Sequence, residues 1–303
     1  MSLTAIGTLA YDSIETVHEK RDDILGGSGV HFGVAAANFA PVRLVGVVGT
    51  DFPDAHMDLL RAQGIDTLGV EVVDGKTFRW AGRYEADWNT RHTVDTQLNV
   101  FEHFDPKVPE GYRDSRFVFL GNAAPSIQMQ ALDQCQDAEF VVADTMNLWI
   151  DIALDDLKAL LRRVDGLVLN DEEARMLSGE SNLILAAQKV REMGPRYVIL
   201  KKGEHGAFLV GDDVRYAIPA YPVDEVRDPT GAGDSFAGGF MGYLAAAEST
   251  EPRTLRRAML YGTATASFCV QGFGTEGLIE GLGKHKRSQI ESRFNELLDI
   301  TSV

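Results

Sequence analysis

Basic residues are scarce in this chain: 29 lysines and arginines stand against 45 aspartates and glutamates, a formal net charge of -16 over 303 residues. So acidic a surface repels polyanions, which argues against nonspecific binding to nucleic acid or membranes. Cysteine is almost missing. Cys135 and Cys269 lie far apart among apolar or small residues, so neither a disulfide framework nor a four-ligand zinc site has support, and both are expected to be reduced and structural. No apolar run reaches the roughly eighteen residues of a membrane span, and the start shows no charged-then-apolar leader. A soluble, cytoplasmic protein is expected. Two glycine motifs are lacking as well: no G-x-G-x-x-G opens an early βαβ unit ahead of an acidic residue, and no G-x-x-x-x-G-K-[ST] occurs. A Rossmann dehydrogenase and a Walker-type nucleotide site are thereby disfavoured.

What is present is apolar residue in quantity, 45% of the chain, enough to bury the core of one large α/β domain. Apolar runs alternate with amphipathic stretches: Leu44 to Val48 then Met57 to Ala62, Phe117 to Leu120 then Met129 to Cys135, Phe140 to Val142 then Leu154 to Leu161. Such alternation predicts βαβ units and a mostly parallel sheet covered by helices on both faces. The stretch from about Val70 to Phe104 breaks the rhythm. Thr77 to Tyr84 and Thr93 to Val100 alternate about a turn at Asp87 to Asn89, which predicts an antiparallel, aromatic-rich ribbon. Phe78, Trp80 and Tyr84 are expected mainly to pack it down, with one or two facing a ligand.

The segment Asp228-Pro229-Thr230-Gly231-Ala232-Gly233-Asp234-Ser235-Phe236 joins a glycine turn, a carboxylate and an apolar helix in nine residues. Gly231 and Gly233 can adopt positive φ, and Phe236, Phe240, Tyr243, Leu244 and Ala247 recur at helical spacing. A helix therefore begins at the turn, with unpaired N–H groups and the positive end of its dipole aimed at an anion. A carboxylate among such donors needs a reason. Asp234 is either a helix cap or the acceptor of a hydroxyl proton during phosphoryl transfer.

This segment resembles the second signature of the PfkB carbohydrate kinases, the ribokinase-like family, D-T-x-G-A-G-D-x-F, with proline at the second position. The resemblance implies that Asp234 is the catalytic base and that Gly231, Ala232 and Gly233 form a backbone anion hole, with Thr230 beside the nucleotide. Gly26-Gly27-Ser28-Gly29, leading into a small-residue helix, resembles the first signature, G-G-x-x-x-N-x-A, although His31 replaces the asparagine and Gly33 the alanine. Asp12, Gly26, Gly27 and His31 are the implied substrate contacts, a carboxylate and an imidazole both being able to bond a polyol. Asn170 and Glu173 fit the N-x-x-E spacing that organises Mg²⁺ near the phosphates, through water, and Asn170 also neighbours the nucleotide. Lys201, Gly203 and Gly206 in the segment Tyr197 to Val210 are the implied nucleotide contacts, Lys202 being the alternative lysine. His205 reads as a turn residue. Thr263 and Gly274 fall where relatives close the adenine pocket. Asp144 and Asn147 follow a buried strand at the end where ligands of open sheets gather.

The implied architecture is a ribokinase-like three-layer α/β sandwich, one domain over residues 1–303 with a mostly parallel central sheet. A small antiparallel β lid would be drawn from about residues 13–25 and 70–104, and such lids often form a homodimer contact. The implied activity is ATP- and Mg²⁺-dependent phosphotransfer to a hydroxymethyl group of a small sugar or sugar-like molecule. A nucleoside kinase of the same family is the alternative, and a noncatalytic nucleotide-binding homologue is the alternative of another class. In some relatives a monovalent cation, here near Asp228 and Gly274, tunes the anion loop.

Overall fold

A computed structural model describes residues 2–281 and 286–301. The chain opens with β1 (Leu3–Ile6), β2 (Ala10–Glu15), β3 (Lys20–Gly26), α1 (Ser28–Ala36), β4 (Val42–Gly49), α2 (Asp54–Ala62), β5 (Ile65–Val73), β6 (Phe78–Tyr84) and β7 (Arg91–Gln97). It continues through β8 (Phe117–Leu120), α3 (Pro125–Leu132), β9 (Phe140–Asp144), α4 (Asn147–Ile152), α5 (Leu154–Leu161), β10 (Gly166–Asn170), α6 (Asp171–Ser178), α7 (Leu183–Glu192), β11 (Tyr197–Lys201), β12 (Ala207–Val210) and β13 (Arg215–Ile218). It closes with α8 (Ala232–Ala247), α9 (Pro252–Cys269), α10 (Glu276–Ile279) and α11 (Lys286–Thr301).

Among the described residues the large sheet has nine strands in the order β13-β12-β11-β10-β9-β8-β1-β4-β5. Pairing is parallel from β11 to β5, and only β12 runs against the others, pairing antiparallel with β11 and β13. The central strands β1, β8, β9, β10 and β11 are buried almost throughout because both faces are covered. Alternate residues serve opposite cores: Leu3, Ala5, Val168 and Ile199 pack with α1, α8, α9 and α11, whereas Ile6, Leu167, Leu169, Val198 and Leu200 pack with α3, α5, α6 and α7. This is the expected three-layer sandwich. Small residues bring α1 and α8 together; a β-carbon at Gly238 would stand 2.5 Å from the Phe32 carbonyl oxygen and one at Gly242 2.8 Å from that of Ala36.

The second sheet, ordered β3-β2-β6-β7, is the lid. Its β2–β3 and β6–β7 pairs are antiparallel hairpins, and they join along a parallel β2–β6 seam. The boundaries differ from those read in the sequence. Val70 to Val73 complete β5 at the edge of the large sheet, and Asn99–His103 is a 3₁₀ turn. That turn forms because Phe101 is buried in the core and the Val100 N–H bonds the Lys76 carbonyl at 3.1 Å. Ile14, Tyr84 and Phe273 form a small cluster that seats the lid on the domain.

Candidate active site

The parallel strands end where the chemistry begins. Asp144, Asn170 and Lys201 are the last residues of β9, β10 and β11, and α8 starts beside them. Gly231, the N-cap of α8, sits at φ 73°, a left-handed conformation that a side chain would strain. Asp228, fully buried, fastens the turn: it accepts from the Thr230 N–H at 2.8 Å and the Gly274 N–H at 3.2 Å. Burial, working against the Thr230 and Gly274 hydrogen bonds, lifts its pKa to about 6. Of the three expected anion-hole donors, Ala232 is committed elsewhere, since its N–H closes the turn onto the Pro229 carbonyl at 3.2 Å. The N–H groups of Gly231 and Gly233 make no hydrogen bond among the described residues.

With the N-cap place taken by Gly231, Asp234 is the third residue of α8 and half-buried. Its pKa is pushed up to about 7, by burial first and then by the charge of Asp144, against the pull of Lys201 and Arg91. Lys201 Nζ stands 3.9 Å from Asp144 Oδ1 and 2.6 Å from where a β-carbon on Gly233 would be. Burial disfavours its charge, but Asp144, Glu173 and Asp234 outweigh burial and its pKa rises. Lys202 instead places its ammonium 4.0 Å from the centre of the Phe208 ring, so Lys201 is the lysine that faces the turn. Gln128 fixes the neighbourhood by donating from Nε2 to the carbonyls of Leu120, Gly121 and Asp144.

Asn170 and Glu173 come together as a capping box. Asn170 Oδ1 accepts from the Glu173 N–H at 2.8 Å, and Glu173 Oε2 accepts from the Asn170 N–H at 2.7 Å. One Glu173 oxygen remains, and burial together with Asp144 raises the Glu173 pKa to about 7. Asp144, Glu173 and Asp234 thus converge on a single lysine with negative charge in excess, and hard oxygens of this kind fit a divalent cation. No group of three His, Cys, Asp or Glu side chains placed to hold a metal occurs among the described residues. Gly203 and Gly206 both have positive φ in the β11–β12 turn, and Gly206 packs on the Ile218 and Pro219 backbone. Thr263 is buried in α9, and Asn147 begins α4.

Asp12 approaches from β2. It is buried, accepts from the Gly27 N–H, and its pKa rises to about 7 through burial and the charges of Asp228 and Asp234. Gly26 must lack a side chain here, since a β-carbon would stand 2.0 Å from Asp12 Oδ2. His31 lies deeper, in the first turn of α1. It is 1% exposed, its ring lies under Gly231, and Nδ1 is 3.9 Å from Cys269 Sγ. Burial lowers its pKa to about 4, and Nε2 has no hydrogen-bond partner.

The sequence pattern of the pfkB family carbohydrate kinases matches residues 5–280. The chain belongs to this family. A cytidine kinase of Thermococcus kodakarensis is 30% identical over 248 residues, covering 80% of this chain and 87% of the relative. A nucleoside kinase of Methanothermobacter thermautotrophicus is 30% identical over 277 residues, 83% and 82% of the two chains. Among solved structures, the nucleoside kinase of Methanocaldococcus jannaschii superposes with a TM-score of 0.78 at 19% identity, over 97% of this chain and 98% of the other. An E. coli chain described as a ribokinase II, solved with ATP and Mg²⁺, gives 0.80 at 21% identity, over 97% and 99%. This pfkB-family member is an ATP-dependent carbohydrate kinase with the ribokinase-like fold.

Two neighbours of the site come from the lid. Tyr84, one of the aromatics singled out in the sequence, accepts from Thr230 Oγ1 at its hydroxyl at 3.0 Å, and Arg91, which carries no sequence signal, acts electrostatically on Asp234, Glu173 and Lys201. Only the β6–β7 register, which brings the two residues opposite each other, could have linked them to residues more than a hundred positions away.

Proposed function

We propose that this kinase transfers the γ-phosphoryl group of ATP to a hydroxymethyl group of a small sugar or sugar-like substrate, with Asp234 as base. The observation that carries this reading is the convergence of a carboxyl of raised pKa, the unoccupied Gly231 and Gly233 N–H groups and the Lys201 ammonium at the start of α8. The acceptor oxygen attacks the γ-phosphorus, the bond to the β–γ bridging oxygen breaks to release ADP, and the hydroxyl proton passes to Asp234. The two glycine amides hold charge developing on the phosphoryl oxygens. Asp12 and the Gly27 turn orient the acceptor, and His31, under Gly231, turns its unpartnered Nε2 to a substrate hydroxyl. Asn170, Lys201, Gly203, Gly206, Thr230, Thr263 and Gly274 form the nucleotide side. Mg²⁺ would be organised by Glu173 and Asn170 through water and would neutralise phosphate charge. A monovalent cation beside Asp228 and Gly274, a homodimer through the lid and a cytoplasmic setting complete the reading.

A nucleoside acceptor is favoured by one specific feature. Trp80 pairs with Asp12 across the β2–β6 seam, so its half-buried indole shares a face with the acceptor carboxylate and offers a surface for a planar base. The 30% identity to a cytidine kinase and to a nucleoside kinase points the same way. Ribose, fructose, cytidine and adenosine compared in a coupled ADP-release assay decide the acceptor. In the same assay Asp234→Asn should lower kcat by about 10³-fold or more while ATP binding persists; near-normal turnover would refute the base assignment.

A further inference from the structure

The peptide that joins Thr230 to Gly231 carries one of the two free donors of the anion hole, and its carbonyl is held from behind. Cys269, the last residue of α9, donates its thiol to the Thr230 carbonyl, with Sγ 3.6 Å from the oxygen. A carbonyl only accepts, so the proton is the sulfur's. In a planar trans peptide the carbonyl and the N–H point in opposite directions. With the Thr230 oxygen drawn toward Cys269, the Gly231 N–H is therefore turned away from it. Thr230 is fixed at two further points, its N–H on Asp228 at 2.8 Å and its hydroxyl on Tyr84 at 3.0 Å. Neither bond sets the plane of the peptide that follows, and Gly231, at φ 73°, has no side chain to restrain it.

The sulfur has a second neighbour. His31 Nδ1 stands 3.9 Å from Cys269 Sγ, and the ring packs against Gly231, where a β-carbon would lie 2.3 Å from Cγ and Nδ1. Cys269 is fully buried and burial pushes its pKa up to about 12, so the thiol keeps its proton. With that proton committed to Thr230, the sulfur meets the imidazole as an acceptor, which places the His31 proton on Nδ1. Nε2 is then a lone-pair acceptor on a ring 1% exposed, with no hydrogen-bond partner among the described residues. A buried acceptor left unsatisfied is costly, and a ligand hydroxyl would satisfy it.

We propose that Cys269 and His31 form a buried hydrogen-bond relay between the acceptor pocket and the anion hole. An acceptor hydroxyl donates to His31 Nε2, His31 Nδ1–H donates to Cys269 Sγ, and the Cys269 thiol donates to the Thr230 carbonyl, which aims the Gly231 N–H at the phosphoryl group. No proton changes owner along the relay. The inference rests on the kinase reading above and adds to it a positioning residue, Cys269, that touches neither substrate nor nucleotide. Links through sulfur are weak, so the relay orients a peptide rather than holding the fold together. Bonds in such a chain polarise one another inside a protein, and acceptor binding thereby tightens the hold on the peptide that receives the phosphoryl charge.

Two measurements on the full chain test it. Nitrogen-15 NMR of histidine-labelled wild type at pH 7, with His31 assigned by its absence from His31→Asn, should show the ring proton on Nδ1. A proton on Nε2 overturns the proposal. In kinetics, Cys269→Ala should lower kcat about 10-fold, less than the 10²–10³-fold typical of deleting an oxyanion donor outright. The ATP KM, and ADP affinity by calorimetry, should stay within about twofold. Cys269→Ser, whose hydroxyl can donate to the same carbonyl, should recover most of the loss. A side chain that only fills space would leave serine no better than alanine. Equal kcat in the two variants, or wild-type kcat in Cys269→Ala, overturns the proposal. Wild-type protein that shows the Nδ1 proton but phosphorylates no acceptor overturns the kinase reading alone, because the NMR measurement needs no turnover.

Discussion

Asp12 sits buried between two other carboxylates, and its pKa of about 7 records how unfavourable its charge is there. Such a group is kept at the expense of stability when a ligand needs it. Asp12→Asn should therefore raise the melting temperature at pH 8, where the carboxyl is charged, and raise the acceptor KM by about 10-fold. Thermal melts and initial rates test both halves, and a variant with unchanged KM would remove Asp12 from the acceptor site. Asp12, Asp234 and Lys201 could be singled out in the chain because each stands in or beside a short segment that resembles a family motif, and such motifs are local. His31 was legible as a position, whereas its burial was not. Its burial depends on α1 packing against α8 two hundred residues later, and on a glycine at 231 that leaves room for the ring.

The lid is fastened to the domain by a group of half-exposed charges. Glu19 accepts from Arg21 at 2.7 Å and Arg227 at 3.2 Å, and Arg21 also donates to Glu276 at 2.9 Å. Both guanidiniums flank the Phe273 ring, at 4.8 and 5.4 Å. Exposed pairs contribute at most about 1 kcal/mol each and are screened by salt. Glu276→Gln, or ~0.5 M NaCl, should thus raise the acceptor KM by about twofold to fivefold and leave the ATP KM nearly unchanged. Acceptor kinetics insensitive to both would show that these charges do not hold the lid. Alternation in residues 77–84 and 93–100 announced the ribbon, but the end of β5 and the 3₁₀ turn after β7 escaped it. Edge pairing extends the first, and Phe101 finds the core in the second.

Across the molecule, Asp12, Glu173 and Asp234 have pKa values near 7 and Asp228 near 6, all above the roughly 4 of an unfolded carboxyl. Between those limits the folded chain binds more protons than the unfolded chain. Unfolding free energy then falls as pH rises through the folded values. His31, with a pKa of about 4, works in the opposite sense below its unfolded value of roughly 6.5, one group against four. The ligand-free protein should melt at a lower temperature at pH 8 than at pH 6, and Mg²⁺ with ATP should recover part of the loss. A flat or rising profile would show that these carboxyls are not destabilised by folding.

The alternation of strands and helices, the two-faced burial of the sheet and the glycine turn that opens α8 all followed from the chain alone, because periodicity and glycine act over a few neighbours. Which donors remain free, which lysine turns inward, and which lid residue stands over the site depend on side chains brought together from positions as distant as 31, 91, 173 and 231. No local pattern encodes those approaches; they are set by the packing of α1 on α8 and by the register of β6 with β7.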